Sequence, residues 1–438
     1  MTDTVNEFEA VAIGDDQLTP WWRVAAVGSM VAFSLPTFIT GLEVYQGLSP
    51  WQTLWALLIG SLLIFAIGTA MGGIGAQTRM SSYLLTRIAF GDIGAGLVNI
   101  AFAISLLGWF GININLFAEA VSGLSTTLFG GAPSNLVLSL VAAACMTGLT
   151  FAGFRAINLL ATLMVPVLGL VTLLFLYNAL SLQSLPELMA VEKEASLSVG
   201  DGISAIVGAI IIGAIILPDI TRFVRSWRGA LGVTFISYMI VQFLVMASAS
   251  LASGATGSGD ILEIMLQFGL GLGAFVIVIT GSWVLNALNL YSTVLSIKAT
   301  FPNLSQSLLI FGLGLFGAGA ALLNLLDVFV VFLIYLSIVF IPVAGVIIAD
   351  YLLVRRGAYR IETLEENRRF APKAFGAWAI GAVASLVMYY YPSYSPSGIS
   401  AIDAIALTAV SYLALAWSDR LQAPQSSVPG EDPNAHRN

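Results

Sequence analysis

The chain has 438 residues, 58% hydrophobic and only 9% charged, with a formal net charge of −7. Soluble domains average about half apolar and about a quarter charged, so this balance excludes a water-soluble core, and the acidic excess excludes a nucleic-acid-binding surface. One Cys (Cys145) and one His (His436) leave no residues for a disulfide framework, a zinc site or a Cys–His nucleophile pair.

Residues 1–20 carry Asp3, Glu7, Glu9, Asp15 and Asp16, with no basic n-region and no small-residue cleavage site. They are predicted to be a disordered cytoplasmic tail and not a cleaved signal peptide. Hydrophobic runs then recur at 22–45, 51–76, 93–121, 135–153, 157–181, 199–220, 230–253, 262–294, 305–326, 328–354, 374–390 and 401–417. Each suffices to cross a hydrocarbon layer of about 30 Å at about 1.5 Å rise per residue. A bilayer offers no water to unpaired backbone groups, so the runs must be helices. The prediction is an all-α integral membrane protein of twelve transmembrane helices, with a membrane domain over 21–419 and a second disordered tail over 420–438. Only 182–198, outside, and 355–373, inside, form long connections.

Cytoplasmic loops retain Lys and Arg. With the N-terminus inside, Lys193 is the only one of the 17 basic residues to fall outside. A wrong span count would scramble that asymmetry, so both termini are predicted to face the cytoplasm, in a multi-pass inner (plasma) membrane protein. The loops are too short for an ATPase domain, and no G-x-x-x-x-G-K-[ST] phosphate loop occurs. Any pumping would draw on an ion gradient.

Helix breakers cluster in two spans. The first contains Ser34-Leu35-Pro36 and then Gly41; the sixth contains Gly208, Gly213 and Pro218. The two lie five spans apart, and an odd number of crossings brings a second unit in with opposite orientation. Breaks at corresponding positions point to an inverted repeat with a substrate site between its halves, although Gly and Pro in membrane helices also mark close packing or a kink. Repeat one would run over about 22–181, repeat two over about 199–354, and two extra helices over about 374–417.

Four stretches carry a family resemblance: TRIAFG at 86–91, SLLGWFGININLF around Trp109, LPDITRFVRSW around Asp219, and IPVAGVIIADYLLVRRG at the end of the tenth span. They resemble the nucleobase–cation symporter family 1 (the purine/cytosine permease family), and within it the bacterial cytosine permeases more than the hydantoin carriers, over about residues 22–417. The resemblance implies a leucine-transporter-type five-plus-five inverted repeat plus two C-terminal helices, and a midplane site lined by the first, third, sixth and eighth spans. It also implies a secondary active transporter, not an enzyme. Such a carrier would import a small planar heterocycle by alternating access, with sodium or a proton as coupling ion and no cofactor or resident metal.

The residues support that reading in part. Trp109 lies near the middle of the third span, where its π-face can stack on a flat heterocycle. Asn113 follows one turn later on the same face and offers one acceptor and two donors. Both could instead pack or hydrogen-bond between helices. The resemblance adds Ser34 at the first-span break, and Asn286 with Asn289 in the eighth-span stretch TGSWVLNALNLY. Cytosine permeases are expected to carry a Gln at the position of Leu106, and a Phe and a Ser at those of Ile210 and Ile212. An aliphatic trio would leave cytosine's polar edge unpaired, so a less polar pyrimidine, a thiazole-like vitamin precursor or a hydantoin-type ring fits better. The family's sodium site maps to the Gly281, Ser282, Val284, Leu285 region. Val284 and Leu285 stand where two hydroxyl residues are expected and cannot ligate a hard cation, while Ser282 and Thr280 could offer hydroxyls in a shifted register.

Glu43, Glu119 and Asp327 are candidate proton carriers near outer span ends. Asp219 with Arg222, and Asp350 with Arg355, are predicted structural or gating ion pairs at inner ends. Two competitors remain. An amino-acid carrier of the same fold would need exposed backbone amides at both breaks, which Ser34-Leu35-Pro36 does not favour. A non-transporting receptor would need no ion site. The implied partners are a heterocyclic solute and the lipid bilayer, with monomer or oligomer left open.

Overall fold

A computed structural model describes residues 12–323, 329–361 and 369–422, which are helical with connecting turns. Among the described residues, each expected span falls largely on helix. Eight of the described helices are long and apolar enough to cross a membrane, and the pair Trp21–Ala32 and Leu35–Gly47, bent by 54°, makes a ninth. Asn135–Phe151, Gln306–Ala320 and Pro372–Tyr390, of 17, 15 and 19 residues, occupy the fourth, ninth and eleventh positions. Ser82–Phe129 holds one non-helical residue, Gly91 at φ 76°, where the chain turns from an inner helical segment into the third span. Without a Cβ, glycine takes this conformation at little cost.

Packing sorts eight spans into two groups. The first and second contact each other and both the sixth and the seventh, while the third, fourth, eighth and ninth all contact one another. Each group thus draws two consecutive spans from each half of the chain, the interleaving that an inverted repeat predicts. The fifth span lies against the first and seventh, and the tenth packs on the sixth, eleventh and twelfth.

Both expected breaks exist, and both are narrower than the Gly and Pro positions imply. The first span is interrupted only at Phe33 and Ser34, where Ser34 is extended (φ −80°, ψ 152°). Ser34 Oγ and Thr37 Oγ1 donate to the Val31 carbonyl at 2.7 and 3.2 Å, reinforcing the Ser34 amide's bond to the same acceptor at 3.4 Å. Pro36 sits in the first turn of the second half, where a missing N–H costs nothing. Gly41 lies within that helix and permits contact instead: a Cβ there would sit 2.4 Å from the Met246 carbonyl oxygen. In the sixth span, Val199–Ile215 ends before a short turn at Pro218–Thr221, so the break falls at 216–217, beyond Gly208 and Gly213.

One departure concerns the N-terminal tail. Its residues 12–20, expected to be disordered, are laid against the inner ends of the second and sixth spans. Ile13 is buried, and the Ile13 and Thr19 amides donate to the Arg79 and Phe223 carbonyls at 3.1 and 2.8 Å. Ile13 and Ala12 against the core, two main-chain bonds and an ion pair between Asp15 and Arg79 hold a segment whose composition alone reads as solvated.

Candidate functional site

A cavity with an empty volume of about 770 Å³, counted out to its mouth, lies where the two breaks face the third and eighth spans. It gathers Ser34 from the first break, Leu106 and Trp109 from the third span, Ile210 and Ile212 from the sixth, and Leu285 and Asn289 from the eighth. Residues spread over more than 250 positions of sequence meet because both groups of helices turn their broken or polar faces inward.

Trp109 is 8% exposed, its ring edge-on to Phe332 at 5.6 Å, which leaves indole surface on the lumen. Around it the wall is aliphatic: Leu106, Ile210, Ile212, Leu285 and Leu288. The helical register explains this, since Leu106 and Trp109 are three residues apart on one face. Polar side chains are few: Ser34, Thr37, Tyr238, Asn289, Ser292 and Asp219.

Asn113 and Asn286 do not line the cavity. Asn113 is fully buried and its Nδ2 donates at 2.8 Å to the Trp109 carbonyl, one turn back, while its Oδ1 has no hydrogen-bond partner. Asn286, also fully buried, donates to the Phe110 carbonyl at 2.9 Å and contacts Met146 Sδ at 3.1 Å, tying the eighth span to the third and fourth. Its Oδ1 accepts from Asn289 Nδ2 at 3.3 Å, which orients the one asparagine that reaches the lumen.

The region expected to hold a cation adjoins the first-span break. A Cβ on Gly281 would lie 2.9 Å from the Phe33 carbonyl oxygen, so only glycine lets the eighth span approach so closely. Ser282 Oγ is buried without a hydrogen-bond partner. Val284 is fully buried and Leu285 faces the cavity, so neither brings oxygen to the break. Thr280 Oγ1 is turned back onto the Val276 carbonyl at 2.6 Å, and the Val31 carbonyl is occupied by Ser34 and Thr37. Of the hydroxyls at this junction, that of Ser282 is without a hydrogen-bond partner, while those of Ser34, Thr37 and Thr280 are turned onto backbone carbonyls.

The charged residues resolve into different roles. Asp219, placed by sequence at a cytoplasmic end, reaches the floor of the cavity while only 1% exposed. Its Oδ1 accepts from the Ser82 amide and hydroxyl at 2.9 and 2.7 Å, and its Oδ2 from Ser292 Oγ at 3.1 Å. Arg222 donates from Nε to the Asp219 carbonyl at 3.2 Å and from Nη2 to Tyr291 Oη at 2.9 Å. Asp350 pairs with Arg355 at 3.0 Å, and accepts from Tyr359 and Tyr412 at 2.6 and 2.7 Å. Glu43 and Glu119 are exposed away from the cavity, and Asp327 lies outside the described residues.

Comparison with known proteins gives consistent matches. The family model described as "Permease for cytosine/purines, uracil, thiamine, allantoin" matches residues 20–414. The cytosine permease of Escherichia coli K12 is 31% identical over 379 residues, 86% of either chain. The allantoin permease of Bacillus subtilis is 24% identical over 435 residues, 88% of this chain and 87% of its own. Among solved structures, Mhp1, a nucleobase-cation-symport-1 family transporter in a closed conformation with bromovinylhydantoin bound, superposes with a TM-score of 0.80 at 19% identity, covering 95% and 96% of the two chains.

Proposed function

We infer, from the premise that the chain belongs to the permease family for cytosine, purines, uracil, thiamine and allantoin, that it imports a small planar heterocycle across the membrane in which its helices lie. Membership in this family makes it a nucleobase-type permease, and the fold it shares with Mhp1 supports alternating access. One observation carries the substrate class: Trp109, whose indole has a broad π-face, lines a cavity between two broken helices. Stacking on such a face contributes about 1–3 kcal/mol per base in other base-binding sites and tolerates many ring types. A hydantoin held by the structural neighbour is a solute of this flat, heterocyclic kind.

The aliphatic wall of Leu106, Ile210 and Ile212 favours a ring with an apolar edge or alkyl substituent over one with polar groups all round. Each buried polar group left unpaired costs about 1–3 kcal/mol. Val284 and Leu285 beside the break, together with the capped Val31 carbonyl, favour coupling to a proton gradient over a sodium gradient. Both termini are assigned to the cytoplasm by the Lys and Arg asymmetry.

Uptake into proteoliposomes of a labelled panel of nucleobases, hydantoins and vitamin precursors, with sodium and proton gradients imposed in turn, tests this reading. Accumulation of at least one heterocycle, driven by a proton gradient and insensitive to sodium, is expected. Accumulation of an amino acid and of no heterocycle would contradict it.

A further inference from the structure

Among the described residues lining the cavity, Asp219 is the only carboxylate, and none of the others carries a positive charge. We propose that Asp219 reads the substrate: its carboxylate is the acceptor for an N–H donor, an exocyclic amino group or a protonated ring nitrogen, on the edge of the heterocycle that points to the cavity floor. The proposal rests on the heterocycle reading above and narrows it to donor-edged rings.

The argument begins with acceptor counting. An ionised carboxylate offers about four lone-pair sites. Three protein donors are engaged, two on Oδ1 from Ser82 and one on Oδ2 from Ser292 Oγ. The buried Tyr83 hydroxyl lies close enough to the carboxylate to compete for the remaining site. Oδ2, which accepts from Ser292 Oγ, keeps acceptor capacity on a residue that lines the cavity.

The donors also make the group rigid. Ser82 belongs to the helix leading into the third span and Ser292 to the eighth, so the carboxylate is held from two elements other than its own. A fixed acceptor binds a donor without paying to order itself. The surrounding wall is aliphatic, and in such a low-dielectric lumen a charge-assisted hydrogen bond is stronger than in water. The same negative charge disfavours anionic rings and rings whose nearest edge bears only acceptors.

Three isosteric probes separate the possibilities: 4-aminopyrimidine, 4-methylpyrimidine and 4-methoxypyrimidine, titrated calorimetrically into the purified full-length protein. The wild type is expected to bind the amino compound at least about tenfold more tightly than the other two. Asp219→Asn gives the sharper arm. The two Ser82 donors require an acceptor, so the amide oxygen takes the Oδ1 place and Nδ2 replaces Oδ2, where Ser292 Oγ can accept from it. The cavity-facing acceptor becomes a donor, and the preference is expected to move from the amino to the methoxy probe.

Ser292→Ala keeps the carboxylate and is expected to keep the amino preference, which guards against reading a folding defect as a loss of recognition. Equal affinity of the wild type for all three probes, or an Asp219→Asn protein that still prefers the amino compound, overturns the role of Asp219 while leaving the heterocycle reading intact. Failure of the wild type to bind any of the three overturns the role of Asp219, while the uptake panel above decides the heterocycle reading separately.

Discussion

Trp109 and Asn286 stand on facing helices and serve different ends. Trp109 presents ring surface to the lumen, so Trp109→Ala is expected to weaken heterocycle binding by about 1–3 kcal/mol, roughly five- to 150-fold in Kd, measured by calorimetric titration. Asn286 is sealed between the third, fourth and eighth spans, bonded to the Phe110 carbonyl and to Asn289. Asn286→Ala removes these buried hydrogen bonds and should lower stability by about 1 kcal/mol, read as a depressed Tm in detergent. Unchanged Tm with abolished binding would return Asn286 to the substrate. Leu106 tests the aliphatic wall from the other direction. Leu106→Gln adds an amide beside Trp109 and is expected to improve cytosine binding about tenfold, by pairing an edge otherwise left bare.

The broken helices show how far residue identity reaches and where it stops. Ser34-Leu35-Pro36 marks the first break because proline enters a helix comfortably only in its first turn, and the interruption lies immediately before it, at Phe33 and Ser34. Gly41 and Gly213 look equivalent in sequence, yet a Cβ on Gly41 would meet the Met246 backbone at 2.4 Å, whereas one on Gly213 finds only Val31 Cγ1 at 3.9 Å. Gly41→Ala is therefore expected to destabilise the protein by about 1–3 kcal/mol through overpacking, and Gly213→Ala to leave its thermal unfolding nearly unchanged; the two melting curves check this. A glycine's purpose is set by the helix opposite, which local sequence does not name. The same limit hid the position of Asp219. Its approach to the lumen depends on the break at 216–217 and on Ser82, 137 residues earlier, so a linear count of spans places it only at an inner end.

Across the molecule, the legible quantities were those that the bilayer imposes on any chain: runs of apolar residues, and one basic residue of 17 on the far side of the predicted topology. Which spans touch was not legible from periodicity, because helices buried in lipid and protein are apolar all round; family motifs at Trp109 and Asp350 supplied that. The assembled fold sets one group of four helices against another, with the cavity between them. A relative rocking of the groups would open it to either side in turn, and the close approach of Gly281 to the Phe33 carbonyl lies on that seam. The central claim is that a flat solute rests against the indole of Trp109 in this seam. An experimental structure of the protein saturated with a transported heterocycle tests it most directly. The account predicts a ring lying parallel to the indole at about 3.5–4.0 Å, with an edge toward Asp219; a solute bound elsewhere, with the indole face against protein or lipid, would contradict it.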